Sequence, residues 1–276
     1  MTEYLVYDVF TETRFGGNQL AVIPDAAGLP ERDLLPITRE FNFSETVFLY
    51  PPEDAAHTAK VRIFTPGGEV PFAGHPTIGT AVALAEAGHG PDMVLELGVG
   101  PLAARAADGA AHFTTRAALE RIAEPDPALC AAALGLDPAQ VASPPVMASL
   151  GLAFTFVELD SREALSACRP DTEATRRAAE MYPSELDFAL YAYVREGSTI
   201  HARMFAPLVA IPEDPATGSA AATLAALLAE AEGRDLNLEL RQGDDMGRPS
   251  RIGLATDGPR VTVSGRALRV MQGRLV

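Results

Sequence analysis

Cysteine is nearly missing from this chain: Cys130 and Cys168 are the only two, too few and too far apart for a disulfide framework or a zinc cluster. A reduced, cytoplasmic setting is the simplest expectation. Lysine is rarer still. Lys60 is the only one, in the strand-like "HTAKVRIF" where a solvated role is expected, so a pyridoxal-phosphate Schiff base has little to use. There is no basic run to replace phosphate counterions, and a formal net charge of -15 argues against nucleic acid or an anionic membrane as the main partner. No apolar run approaches the ~20 residues of a membrane span. The stretch "MTEYLVYDVFTETRF" carries acidic residues where a signal peptide needs basic ones, so a mature, soluble chain is expected.

What is present fits a globular protein with a sizeable core: 276 residues, 47% hydrophobic and 21% charged, enough for one large domain or two medium ones. Strand-like runs recur, among them "YLVYDVF", "QLAVIP", "ETVFLY", "AKVRIFTP", "MVLELGVG", "FTFVELD", "FALYAYVRE", "TIHARMFAP", "RVTVSG" and "ALRVMQG". Helices are fewer. "PTIGTAVALAEAG" and "ATGSAAATLAALLAEAEG" each end in glycine where a C-cap belongs, and "ERDLLPITREF" and "DPALCAAALG" predict two more. Many strands with few helices predict an α+β fold.

The chain repeats itself. "RIFTPGGEVPFAGHPTIGTA" (62–81) and "RMFAPLVAIPEDPATGSA" (203–220) share Arg-x-Phe-x-Pro, then His/Asp-Pro-x-x-Gly-Thr/Ser-Ala and a helix. The spacing predicts two halves joined near 117–128, residues 1–118 and 119–261. Each copy predicts a helix whose first turn carries Gly79 and Thr80, or Gly218 and Ser219. Such a start offers free N–H groups and the positive end of the helix dipole to an anion, although Ser, Thr and Gly are also ordinary cap residues. A pseudo-twofold would set both starts beside one cleft.

Several polar residues stand out against this frame. In "EFNFSETVFLY" (40–50) one phase runs Phe43, Glu45, Val47, Leu49, which places Glu45 among apolar side chains where a carboxylate needs compensation, for instance from Arg62. His75 and Asp214 precede proline at matched places of the repeat. The other histidines, His57, His89, His112 and His201, show no metal-ligand spacing, and no metal is expected. "ATGSAA" is not a Gly-x-Ser-x-Gly elbow, and "GGEVPFAGHPTIG" lacks dinucleotide-loop spacing. "FGGNQLAVI" and "RQGDDMGRPS" read first as turns.

Taken together, "DVFTETRFGGNQLAVI", "NFSETVFL", "TPGGEVPFAGHPTIGTA", "EDPATGSAAATL" and "RQGDDMGRPS" resemble, in order and spacing, the PhzF-like phenazine-biosynthesis proteins, over nearly the whole chain. The chain is more distantly similar to diaminopimelate epimerase and proline racemase. The resemblance implies two pseudo-symmetric α+β halves, each a barrel-like, mostly antiparallel sheet wrapped around a central helix, with the last strand, 262–276, returning to complete the first half. It also implies a homodimer, no cofactor and a small carboxylated metabolite as ligand. It assigns the catalytic glutamate to Glu45, with His75, Asp214 and Ser219 as further catalytic residues. Substrate binding falls to Asn18, Gly74, Thr77, Gly79, Thr80 and Gly218. One departure is Gln19, where the family usually has proline. Where the cysteine-dependent epimerases carry a thiol, this chain has Ala73.

The expected chemistry is therefore a cofactor-independent isomerase of the trans-2,3-dihydro-3-hydroxyanthranilate type, in which Glu45 moves a proton between carbons. An apolar surrounding would raise its proton affinity toward that of a useful base. Two alternatives share the residues: a cysteine-independent amino-acid epimerase or racemase, and a non-catalytic protein that binds small acids.

Overall fold

The computed structural model describes residues 1–276. In chain order the elements are β1 (Glu3–Val9), β2 (Asn18–Ile23), α1 (Glu31–Phe41), β3 (Glu45–Tyr50), β4 (Ala59–Thr65), β5 (Gly68–Val70), α2 (Gly74–Glu86), β6 (Asp92–Leu97), β7 (Gly100–Ala107), β8 (Ala110–Thr115) and β9 (Glu120–Ala123). There follow α3 (Pro127–Leu134), β10 (Val146–Ser149), β11 (Ala153–Glu158), α4 (Arg162–Ala167), α5 (Thr172–Met181), β12 (Leu190–Glu196), β13 (Thr199–Ala206), β14 (Ile211–Asp214), α6 (Gly218–Glu232), β15 (Asn237–Gln242), β16 (Ser250–Asp257) and β17 (Arg260–Arg274). No helix is long and apolar enough to cross a membrane. Two compact units emerge: Met1–Thr114 with Val263–Val276, and Thr115–Thr262.

In the first unit the strands close on themselves. β1 pairs with β2 and β17, β2 runs parallel to β3, β3 antiparallel to β4, and β4 parallel to β6. β6, β7 and β8 form a meander, and β8 returns to β17. The result is an eight-stranded barrel of mostly antiparallel pairs. A closed barrel needs a filled interior. Here α2 fills it, every residue from Gly74 to Leu84 being buried, which explains why its sequence is apolar all round. Gly79 belongs to this packing: a Cβ there would lie 2.5 Å from Leu20 Cδ2 and 2.9 Å from Val9 Cγ2. Outside the barrel, α1 covers Ile23, Phe48 and Phe64.

The second unit orders its strands β9, β10, β11, β12, β13, β15 and β16, with β14 on a bulged stretch of β13. Its helix α6 is likewise buried along one long stretch, Gly218 to Leu227 apart from Ser219 and Ala226. α3, α4 and α5 build a separate apolar cluster around Phe188, Leu190 and Phe205, and both cysteines lie within it. The four predicted helices are all present. α4 and α5 were not legible because they are short and start on side-chain caps, Ser161 and Asp171, that look like loop residues. "RVTVSG" and "ALRVMQG" are one strand rather than two. Gly265 between them is required by the Phe10 ring, which a Cβ would meet at 2.2 Å, and not by a turn.

The repeated Arg-x-Phe-x-Pro has a structural meaning in both units. Arg62 donates through Nε and Nη2 to Glu69 and stacks over Phe64, 5.1 Å from the ring centroid. Arg203 does the same with Glu213 and Phe205, at 4.9 Å. Each arginine thus ties a strand to the hairpin that leads to the buried helix. Their surroundings differ: Arg203 is 8% exposed and also holds the carbonyls of Leu165, Ser166 and Cys168 at the end of α4, whereas Arg62 finishes on the exposed Glu31. Breaking a buried pair typically costs roughly 3–5 kcal/mol and an exposed one about 0–1. Urea unfolding should therefore show a cost in the upper range for Arg203→Met and in the lower for Arg62→Met. Equal costs would contradict this account.

Candidate active site

In the first unit the barrel register decides which side chains meet. Leu20 pairs with Glu45, Val22 with Val47, and Val47 with Ile63. This places Glu45, Val47 and Leu49 on the inner face, and Phe48 on the outer face under α1. Both faces of β3 are buried, so the expected contrast of an apolar and a polar phase is absent. Phe43 and Ser44 lie in the turn before the strand and do not extend the pattern. Glu45 is the first residue of β3, at the barrel end where α2 begins, and its side chain is 17% exposed. Arg62 is not its partner, being engaged by Glu31 and Glu69.

The partner in reach is His75. Its Nδ1 lies 3.2 Å from Glu45 Oε2, and its Nε2 donates to the backbone carbonyl of Gln19 at 3.3 Å. A carbonyl can only accept, so Nε2 carries the hydrogen. Burial, with His75 only 4% exposed, pushes its pKa down to about 3, against a smaller upward pull from the Gln19 carbonyl. An imidazolium–carboxylate ion pair would demand the opposite, a raised value. Desolvation of a ring this enclosed outweighs that attraction, so the imidazole is neutral and turns the Nδ1 lone pair toward Glu45.

Gln19 contributes a main-chain carbonyl here. A proline at the same place would offer the same group, so the departure from the family pattern leaves this contact intact. Asn18 is buried at the start of β2, opposite Val9. The turn before it is set by Gly17, whose φ of +64° and whose missing Cβ, 2.3 Å from Val9 O, admit no other residue without strain.

The start of α2 differs from the expectation. The helix begins at Gly74, so its first turn holds Gly74, His75 and Thr77, and Gly79 and Thr80 lie a turn further in. Pro76 does not delay it, because a first-turn N–H has no helical partner to lose. The missing Cβ of Gly79 faces Leu20 and Val9 and so serves the packing of α2 in the barrel. Thr77 donates its hydroxyl back to Ala73 O at 2.8 Å, and Thr80 is fully buried. No side chain caps this helix start. The Gly74 and His75 backbone N–H groups and the dipole are left for an anion.

In the second unit α6 does begin at Gly218, again without a side-chain cap, and Ser219 is half-buried on its first turn. Asp214 is four residues earlier, at the end of β14, buried to 8% exposure. The repeat thus aligns His75 with Asp214 in sequence, but one is inside a helix and the other ahead of it. The cause is a side-chain network that sequence reading missed. Thr217 Oγ1 donates to Asp214 Oδ2 at 2.6 Å, while Gln242 Nε2 donates to Asp214 O at 2.7 Å and to Thr217 Oγ1 at 3.0 Å. Gln242 Oε1 accepts from Tyr191 Oη at 2.9 Å and from Thr217 N at 3.3 Å. These bonds hold residues 214–217 in a turn instead of a helix. Gln242 sat in a segment that reads as a polar loop.

Neither cysteine is available for chemistry. Cys130 and Cys168 are fully buried in the cluster of the second unit, and burial pushes both thiols up to about 12.

The family described as "Phenazine biosynthesis-like protein" matches residues 7–273. An uncharacterized isomerase of Mesorhizobium japonicum is 40% identical, covering 99% of this chain and 98% of that protein. The trans-2,3-dihydro-3-hydroxyanthranilate isomerase of Pseudomonas fluorescens is 34% identical over 100% of both. Among solved structures, a PhzF-family phenazine biosynthesis protein from Bacillus anthracis superposes with a TM-score of 0.88 at 22% identity, covering 100% of this chain and 99% of that one. The fold is therefore the diaminopimelate epimerase-like α+β fold expected from sequence.

The depressed proton affinity of His75 has a measurable consequence. An unfolded histidine takes up a proton below about 6.5, whereas the folded one resists until about 3. Stability from this group is present above pH 6.5 and is lost as pH falls toward 3, at up to about 1.4 kcal/mol per pH unit. His75→Asn should therefore lose stability less steeply than the wild type in urea titrations between pH 7 and 4. Parallel curves would contradict a neutral, buried His75.

Proposed function

Because this chain belongs to the phenazine biosynthesis-like (PhzF) family and is an isomerase, we propose that it moves a proton between two carbons of a small carboxylated substrate, with Glu45 as the proton carrier and no cofactor. The observation that carries this reading is the Glu45–His75 pair: a carboxyl 17% exposed, held against a neutral imidazole at 3.2 Å. A proton carrier for carbon acids must be held within reach of the reacting carbon and away from bulk water, and the barrel end encloses this carboxyl. His75 cannot compete for the proton. It steadies the carboxyl, being itself fixed by the Gln19 carbonyl.

Glu45 takes a proton from one carbon and returns it to another, ending the cycle as it began. The uncapped start of α2 suits the substrate carboxylate, and the same N–H groups stabilise negative charge that develops as the proton leaves. In the second unit, Asp214 and Ser219, beside the uncapped start of α6, are the side chains proposed to orient a polar group of a ligand. The relative's named substrate, trans-2,3-dihydro-3-hydroxyanthranilate, is a small carboxylate of the required kind and is the first compound to test. A thiol-dependent epimerase is disfavoured by the burial of both cysteines.

Glu45→Gln keeps the shape of the side chain but cannot carry the proton. With that substrate its kcat should fall by about 10²–10⁴-fold, with binding largely retained. Full turnover by Glu45→Gln, when the wild type is active, would remove Glu45 from the proton transfer.

A further inference from the structure

The Asp214 network fixes more than the shape of a turn. The amide of Gln242 can be oriented only one way, because one end meets the backbone N–H of Thr217 and the other the backbone carbonyl of Asp214. Its oxygen must face the first and its nitrogen the second. The nitrogen also donates to Thr217 Oγ1, so the single hydroxyl hydrogen of Thr217 is directed elsewhere, and the acceptor in line is Asp214 Oδ2 at 2.6 Å. That length is typical of a hydroxyl donating to an ionised oxygen. Tyr191 closes the far end by donating its phenol hydrogen to Gln242 Oε1.

We propose that Gln242 is a positioning residue that acts through Thr217 to keep Asp214 an ionised acceptor, so that the ligand group meeting Asp214 is a donor, an amine or a hydroxyl. The register of the sheet builds this arrangement. Asp214 sits beside Met204, Met204 beside Tyr191, and Ala202 beside Gln242. Tyr191, Thr217 and Gln242 are 0%, 9% and 1% exposed, so no bulk water competes for these bonds. Gly243 completes the support: with φ +80°, it brings its backbone to the loop, where a Cβ would lie 2.7 Å from Pro215 O. The segment "RQGDDMGRPS" is thereby a brace for "EDPATGS".

That Asp214 meets a ligand rests on the function proposed above; that Gln242 sets its ionisation does not. The test therefore has two arms. In the first, protein labelled at the aspartate carboxyl carbons is titrated by NMR, with the Asp214 signal identified by its loss in Asp214→Asn. Removing the hydroxyl in Thr217→Val, or the amide in Gln242→Leu, should move the Asp214 midpoint upward by roughly one pH unit. Thr217→Ser should restore it, and the Thr217→Val/Gln242→Leu double variant should move it no further than Thr217→Val alone. A shift in Thr217→Val with none in Gln242→Leu would overturn the role of Gln242, and no shift in either would overturn the network. Should Gln242→Leu not fold, Gln242→Met reads the same quantity, since it removes both donations from the amide at similar length and adds no charge.

In the second arm the variants are assayed with trans-2,3-dihydro-3-hydroxyanthranilate, where KM should rise about tenfold, the value of one hydrogen bond to a charged group, with a smaller change in kcat. If the wild type does not turn this compound over, that choice of substrate fails while the NMR midpoints still decide the role of Gln242. Unchanged KM in variants with shifted midpoints would overturn the selection of a donor group.

Discussion

The contact on which the first unit turns is that between a carboxyl and an imidazole in a nearly dry barrel end. Neither group would be placed there for stability: a buried carboxyl and a buried histidine each give up hydration, and a neutral imidazole returns little Coulomb energy. What makes the arrangement possible is the Gln19 carbonyl, which fixes the hydrogen of His75 on Nε2 and leaves Nδ1 facing Glu45. The other features follow from holding those three groups in place. β2 presents the carbonyl, β3 presents Glu45 beside Leu20, and α2 presents His75 in its first turn. α2 can approach this closely because Gly79 lets it press on Leu20 and Val9.

The second unit uses the same sequence device for a different end. Both units tie an arginine to a glutamate and a phenylalanine ahead of a buried, apolar helix. In the first the helix begins early and takes the histidine with it. In the second the chain is held out of helix for four more residues by the amide of Gln242 and the hydroxyl of Thr217. A duplicated motif has thus come to deliver a neutral imidazole in one place and a carboxylate in the other. Sequence symmetry predicts equivalence of His75 and Asp214, and hydrogen bonding removes it.

How much of this could be read from the residues depends on whether the determining interaction is local. α1, α2, α3 and α6 were legible because periodicity, caps and apolar content act within a few residues. Glu45 was legible as an anomaly, a charge in an apolar strand. Its partner was not, because Arg62, in a nearby strand, looked as suitable as His75 until the register placed one outside and the other inside the barrel. Gln242 and Tyr191 were invisible for the same reason: Gln242 reaches Asp214 and Thr217, and Tyr191 reaches Gln242, across 25 to 51 residues of sequence. Gly79 has a packing reason that was equally hidden, since a glycine near a helix start looks the same in sequence whether its missing Cβ faces a cleft or, as here, a leucine.

The central claim is that His75 lies neutral beside Glu45, protonated only at Nε2. Neutron diffraction from crystals exchanged into heavy water at neutral pH locates those hydrogens directly. The account predicts deuterium on Nε2 and none on Nδ1. Deuterium on both ring nitrogens would contradict it.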